Sequence, residues 1–340
     1  MMQPPLLITT NRGFICIDEH TPEAWLIDGG RGTYYGITYS EDKIFVAARR
    51  IAYATGKNKM DDQDGVILVF DYDLKQIDEL YAPFRLRDLH QLYYFDGALW
   101  AVCTYDCLIA TYRDGQWEKW YPQGESAGAT AGKLKAFHLN SIYHHAGSIY
   151  LGGSINRVGL IYQYRETDRA LVERLYVGYS PHNVWQENGT FYTLSSMTGS
   201  CVSLAGRTRV VSRGNFIRGV VATPDTHYFG VSESLSRASR DGANCMIRKF
   251  PSHGPSSIIG IRAQGQINEI RSPGRQDFAH PSVIGKPIDT TEFTHRFPLV
   301  PLTNALCMVE ISAWSWRMRL CYQYFDRSKR RRALQASQLI

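Results

Sequence analysis

Residues 180–196 read SPHNVWQENGTFYTLSS. Val184-Trp185 and Phe191-Tyr192-Thr193-Leu194 are short runs of β-forming residues, and Asn188-Gly189 between them is a strong two-residue hairpin signal. The head of the first strand is harder to explain. Ser180-Pro181-His182-Asn183 puts a histidine and an asparagine where a buried strand should begin.

The unit recurs. YYGITYSEDKIFVAARR (34–50), LHQLYYFDGALWAVCT (89–104), FHLNSIYHHAGSIYLGGS (137–154) and IRGVVATPDTHYFGVSES (217–234) each join a polar entry, a short apolar strand, a turn and a second strand rich in Phe, Tyr, Val and Trp. Two further strand-like pieces follow, such as CLIATYRDG and QWEKWYP after the second copy. With Tyr35, His90, Asn140, His182 and Arg218 as matched positions, the spacing is roughly 36 to 55 residues, the mark of a four-stranded antiparallel unit repeated as a β-propeller.

The chain ends set the blade number. PLLITT, GFICIDE and AWLIDGG offer three N-terminal strands with no polar entry before them. GQINEIRSPGRQDFAHPSVIG offers an outer strand and then a new entry, Asp277-Phe278-Ala279-His280. Pairing that entry with the N-terminal three closes an all-β, six-bladed propeller over residues 5–285 and removes exposed sheet edges. Residues 120–136, rich in Gly, Ala and Ser, read as a long loop, and residues 286–340 as a C-terminal extension that the repeat does not place.

Composition agrees with this class. The 21 Tyr, 14 Phe, 7 Trp and 29 Gly suit many short strands joined by tight turns. The net charge of +6 owes much to one terminal run, FDRSKRRRALQ, rather than to a basic stripe interleaved with aromatics, so no nucleic-acid partner is expected. The seven cysteines are scattered, mostly in apolar runs, which suits buried free thiols and a cytoplasmic protein better than a disulfide framework. No apolar run reaches the ~18 residues of a membrane span. No Walker-type loop occurs, and Gly29-Gly30-Arg31-Gly32 lacks a following helix, so no nucleotide cofactor is expected.

The blade entries carry His90-Gln91, His138 with Asn140-Ser141, His182-Asn183, Arg218-Gly219 and His280. In a propeller these converge on one end of the central channel. Three readings follow. Polar entries can simply satisfy backbone groups that inner-strand ends leave unpaired. His90, His138, His182 and His280 can instead be ligands of a divalent transition metal (Zn, Fe, Mn or Cu), with an open coordination position. Or the histidines act as acid and base without a metal while Arg218 holds an anion. Gln91, Asn140 and Asn183 are candidates to orient the rings or touch substrate. Glu269, Arg271 and Asp277 are candidate supports, the first two as an ion pair and Asp277 as an orienter of His280.

These elements resemble the six-bladed propellers of the strictosidine-synthase, gluconolactonase and NHL-like group. They are most similar to a bacterial branch with H-Q, H-x-N-S, P-H-N, R-G and E-I-R…D-x-x-H, here His90-Gln91, His138 to Ser141, Pro181 to Asn183, Arg218-Gly219, Glu269 to Arg271, Asp277 and His280. The resemblance implies the propeller fold. Gluconolactonase-like relatives hold calcium through Glu, Asn and Asp, whereas histidines dominate here, which points away from an oxygen-only calcium site. The expected function is a metal-dependent hydrolase or lyase acting on a small metabolite or sugar-derived substrate at the channel mouth. The alternative is a non-catalytic scaffold that binds a protein or glycan.

Overall fold

The computed structural model describes residues 5–18, 23–51, 63–124, 137–155, 157–235, 237–273 and 284–291. They form six antiparallel sheets, a six-bladed β-propeller. Blade 1 joins both ends of the propeller sequence: Ile267–Arg271 is its inner strand, followed outward by Leu6–Thr10, Gly13–Ile17 and Ala24–Gly29. The inner strands of blades 2 to 6 are Tyr34–Tyr39, Leu89–Phe95, His138–His145, Pro181–Glu187 and Phe216–Ala222.

One detail of the closure differs from expectation. The strand paired with Leu6–Thr10 is Ile267–Arg271, not one beginning at Asp277–His280. The reason lies in its pattern: Ile267 and Ile270 are buried apolar anchors around a polar pair, Asn268-Glu269, which is already a blade entry. The outer strand of blade 6 is Ser257–Ile261 instead. Asp277 and His280 lie outside the described residues, as do 125–136 and 292–340. Beyond residue 285, Lys286–Ile288 adds an edge strand to blade 1, and Thr290–Thr291 adds one to blade 6.

The inner strands share one layered pattern. A buried residue (Tyr34, Leu89, Leu139, Pro181, Ile217, Ile267) precedes a polar or aromatic pair, and a second buried apolar residue (Ile37, Leu92, Ile142, Val184, Val220, Ile270) follows it. The apolar positions pack between adjacent blades, so the core is a set of inter-blade wedges. Period-2 alternation cannot place both anchors on the core face with two residues between them. Each inner strand therefore carries a β-bulge at the pair, an irregularity in register seen in all six blades.

The bulge residues bind each blade to the next. Ile142 N–H donates to Gln91 Oε1 (2.8 Å), Asn183 N–H to Ser141 Oγ (2.9 Å) and Gly219 N–H to Asn183 Oδ1 (3.0 Å). At two of the three remaining junctions, blade 2 to 3 and blade 6 to 1, the backbones touch directly. A Cβ on Gly36 would lie 2.2 Å from Leu92 N, and one on Gly219, whose φ is +74°, 2.7 Å from Ile270 N. Glycine is required there by close backbone approach.

Candidate functional site

Two stacked rings of side chains follow from the bulges. The outer ring, nearer the strand entries, is Tyr35, His90, Asn140, His182, Arg218 and Asn268. The inner ring includes Gln91, Ser141, Asn183 and Glu269. Together they enclose a cavity with room for about one water-sized group.

The inner ring is a plug. Glu269, 2% exposed, accepts from Asn183 Nδ2 at 2.9 and 3.1 Å and from Gln91 Nε2 at 3.2 Å, and lies 3.5 Å from Arg271 Nη2. One carboxylate thus ties blade 1 to blades 3 and 5 across the channel. Burial pushes its pKa up, partly offset by Arg271, Gln91 and Asn183. Gln91 and Asn183 are engaged at both amide ends. So is Asn140, whose Nδ2 donates to Pro181 O (2.8 Å) while its Oδ1 accepts from Ser141 Oγ (2.7 Å). The three amides expected near substrate serve as inter-blade joints.

The outer ring divides by residue type. In blades 4 and 1, Asn140 and Asn268 donate to the carbonyl of the next blade's buried anchor, Pro181 O and Tyr34 O (each 2.8 Å). In blade 3 the anchor carbonyl, Leu139 O, is reached by Thr104 Oγ1, and His90 Nδ1 sits 2.8 Å from that hydroxyl and 2.8 Å from Asp88 O. Blade 5 repeats the pairing of histidine with hydroxyl and backbone carbonyl. His182 Nδ1 lies 2.8 Å from Ser196 Oγ and 3.1 Å from Ser180 O. Asp88 and Ser180 both take positive φ, 53° and 48°, in the kink before each histidine.

A carbonyl can only accept, so Nδ1 carries the proton in both rings and Nε2 carries the lone pair. His182 Nε2 is buried with no hydrogen-bond partner. Both imidazoles are neutral at ordinary pH. Burial pulls His90 down to about 3 despite the opposing effect of Asp88, and burial together with Arg218 pulls His182 well below the usual range. Burial raises Asp88, but Arg49 at 3.0 Å together with the surrounding His90, His138 and Arg218 outweighs it and holds the carboxyl at about 2.

Arg218 completes the outer ring. Its guanidinium is 5% exposed and lies over Tyr35 and Phe216 (5.5 and 4.9 Å to the ring centres). Nη1 donates to neutral Asn268 Oδ1 (3.2 Å), and Nε is buried without a partner.

The predicted histidines are not all equivalent. His90 and His182 occupy matched positions, whereas the matched residues in blades 4 and 1 are Asn140 and Asn268. His138 stands two residues before Asn140 and is exposed, with its ring 5.7 Å from that of His90. Among the described residues, no group of three His, Cys, Asp or Glu could hold a metal ion. Sequence reasoning missed Arg49, Asp88, Thr104, Ser196 and Asn268. A signal existed for two of them, since a hydroxyl residue follows each matched histidine by 14 positions.

Elsewhere, His144 is buried among Tyr93, Phe95 and Trp100 (ring centres 5.4, 4.6 and 4.8 Å), and burial lowers its pKa to about 4. Cys16, Cys103, Cys107, Cys201 and Cys245 are buried free thiols. No helix among the described residues is long and apolar enough to cross a membrane.

No family model matches the chain, and neither does any curated protein. Solved structures do. A chain of the nidogen/laminin complex has a TM-score of 0.50 at 11% identity, covering 78% of this chain and 97% of that one. A protein of unknown function from Bacteroides caccae also has a TM-score of 0.50 at 11% identity, covering 79% and 98%. The likeness is one of fold. A catalytically inactive virginiamycin B lyase from Staphylococcus aureus, at a TM-score of 0.44 and 11% identity, covers 69% and 93%.

Proposed function

We propose that the entry end of the channel is the active site of an enzyme acting on a small anionic metabolite, a hydrolase or lyase. Arg218 holds the anion, and His90 and His182 present Nε2 to the reacting atoms. One observation carries this reading. Asparagine makes the anchor-carbonyl joint in blades 4 and 1, whereas the matched position of blades 3 and 5 holds a histidine paired with a hydroxyl, and a buried ring nitrogen of His182 is left unpaired. An unsatisfied buried polar atom costs about 1–3 kcal/mol, which a purely structural joint would not need to carry.

The chemistry follows from the tautomer. A neutral imidazole with Nδ1–H fixed to a carbonyl accepts a proton at Nε2, from water in a hydrolase or from a carbon beside a carboxylate in a lyase. Arg218 stabilises the negative charge that develops, in a site shielded from water. The cavity admits only the reacting group, so the body of the substrate rests at the mouth near His138 and Phe216.

A second reading has a divalent transition metal held by His90 and His138. Nitrogens about 2.0–2.1 Å from one ion put imidazole centres within roughly 6.5 Å of each other, and the 5.7 Å between His90 and His138 fits that limit. The buried charge of Arg218 opposes a metal cation and an imidazolium alike until a bound anion neutralises it; because the described residues offer no group of three ligands, direct base catalysis stands first.

The test is a pair of substitutions, His90→Asn and His182→Asn, each converting a histidine blade to the asparagine pattern. Formate and glycolate are the probes, followed by thermal shift, with elemental analysis of the purified protein beside it. Binding lost on Arg218→Met and altered by His182→Asn supports the anion site. Stoichiometric metal lost with the histidines supports the second reading. Metal-free protein that binds neither anion, before or after substitution, leaves only the scaffold.

A further inference from the structure

The larger space in the channel lies on the other side of the Glu269 plug. Along each inner strand, residues beyond the bulge lead to the opposite mouth, where a cavity of about 490 Å³ opens. Arg271, Trp185, Val184, Val220, Val221 and Tyr39 form its characteristic lining. It falls in the size range of small-molecule sites, mostly apolar with a few placed polar groups.

Two of those polar groups lack a full set of partners. Arg271 Nε donates to Ile37 O (3.2 Å), and Nη2 is the most distant partner of Glu269 at 3.5 Å. Its Nη1 has no acceptor among the described residues, and the side chain is 24% exposed. The indole Nε1–H of Trp185 is buried without an acceptor. Among the described residues, Asp225, on the turn between Ala222 and Thr226, is the one carboxylate that lines this cavity. Charge selection deep in the channel therefore falls to Arg271, whose planar fork suits a carboxylate.

We infer that this second mouth binds a small carboxylate with an apolar or aromatic body, the acid group on Arg271 and the body against Trp185, Val184 and Val220. The inference is independent of the histidine site, from which the Glu269 network separates it.

Phenylacetate and its neutral isostere phenylacetamide test it, by ligand-observed saturation-transfer NMR on the full chain. The carboxylate should bind at least about tenfold more tightly than the amide, as expected for a charge-assisted pair. Arg271→Gln should erase that preference. Val221→Trp, which fills the cavity from its wall and leaves every charge in place, should abolish binding of both. His182→Asn should leave binding unchanged. Equal affinity for acid and amide, absence of binding, or binding that survives Val221→Trp in folded protein would each overturn the inference.

Discussion

Blades 4 and 1 use asparagine where blades 3 and 5 use histidine, at the same layer of the same ring. Asn140 and Asn268 close the joint to the next blade with one amide and leave nothing over. His90 and His182 need Thr104 and Ser196 beside them, and direct Nε2 away from the joint. The difference separates what the propeller requires from what it can spare. A bulge breaks the ladder in every blade, and in every blade but the second, where Tyr35-Gly36 stands, a polar entry residue is needed there. Imidazole is not.

Substitutions can break this comparison, beginning with the plug common to both kinds of blade. Glu269→Leu should have the largest effect, about 3–5 kcal/mol lost in denaturant unfolding, since it strands the amides of Gln91 and Asn183 and the charge of Arg271 together. Asn183→Ala should cost about 2–3 kcal/mol. It removes the acceptor for Gly219 N–H and a donor to Glu269, and its φ of 58° is one that asparagine tolerates better than alanine. Asn140→Ala should cost about 1–2 kcal/mol by the same measurement, because Pro181 O and Ser141 Oγ lose a partner.

The effect of pH is absent at neutrality and grows only in acid. His144 titrates near 4 when folded and near 6.5 when unfolded, so the unfolded chain binds more protons between those values. Its contribution is complete above about pH 6.5 and is lost as pH falls towards 4, at up to about 1.4 kcal/mol per unit. His144→Phe should flatten that part of the stability profile; a profile unchanged by the substitution would contradict the assignment.

Much of the fold was legible because the repeat is written in local chemistry: Asn188-Gly189 turns, apolar alternation and a polar pair at each entry. The closure of the N-terminal strands on a later strand is legible too, but it falls one strand earlier than it reads: Asn268-Glu269 reads as part of an outer strand, though it carries the same apolar-polar-polar-apolar signature. The site was legible in part. His90, His182 and Arg218 come together because they share a bulge position, while His138 is set apart by two residues, a shift that a search for histidines near an entry does not detect. Thr104 and Ser196 leave only a faint mark, a hydroxyl 14 positions after each matched histidine, while Asp88 acts through its backbone carbonyl and positive φ, which no side-chain pattern announces. The roles of Gln91, Asn140 and Asn183 were hidden because an amide that joins two blades and one that binds a substrate have the same sequence appearance.

The central claim is that histidine at positions 90 and 182 is surplus to the fold. The most direct measurement is the double substitution His90→Asn plus His182→Asn, followed by denaturant unfolding and by titration with formate and glycolate. Stability should stay within about 1 kcal/mol of the parent, because asparagine makes the joint at the matched positions of blades 4 and 1, while anion binding is altered or lost. A loss of several kcal/mol with anion binding intact would contradict it.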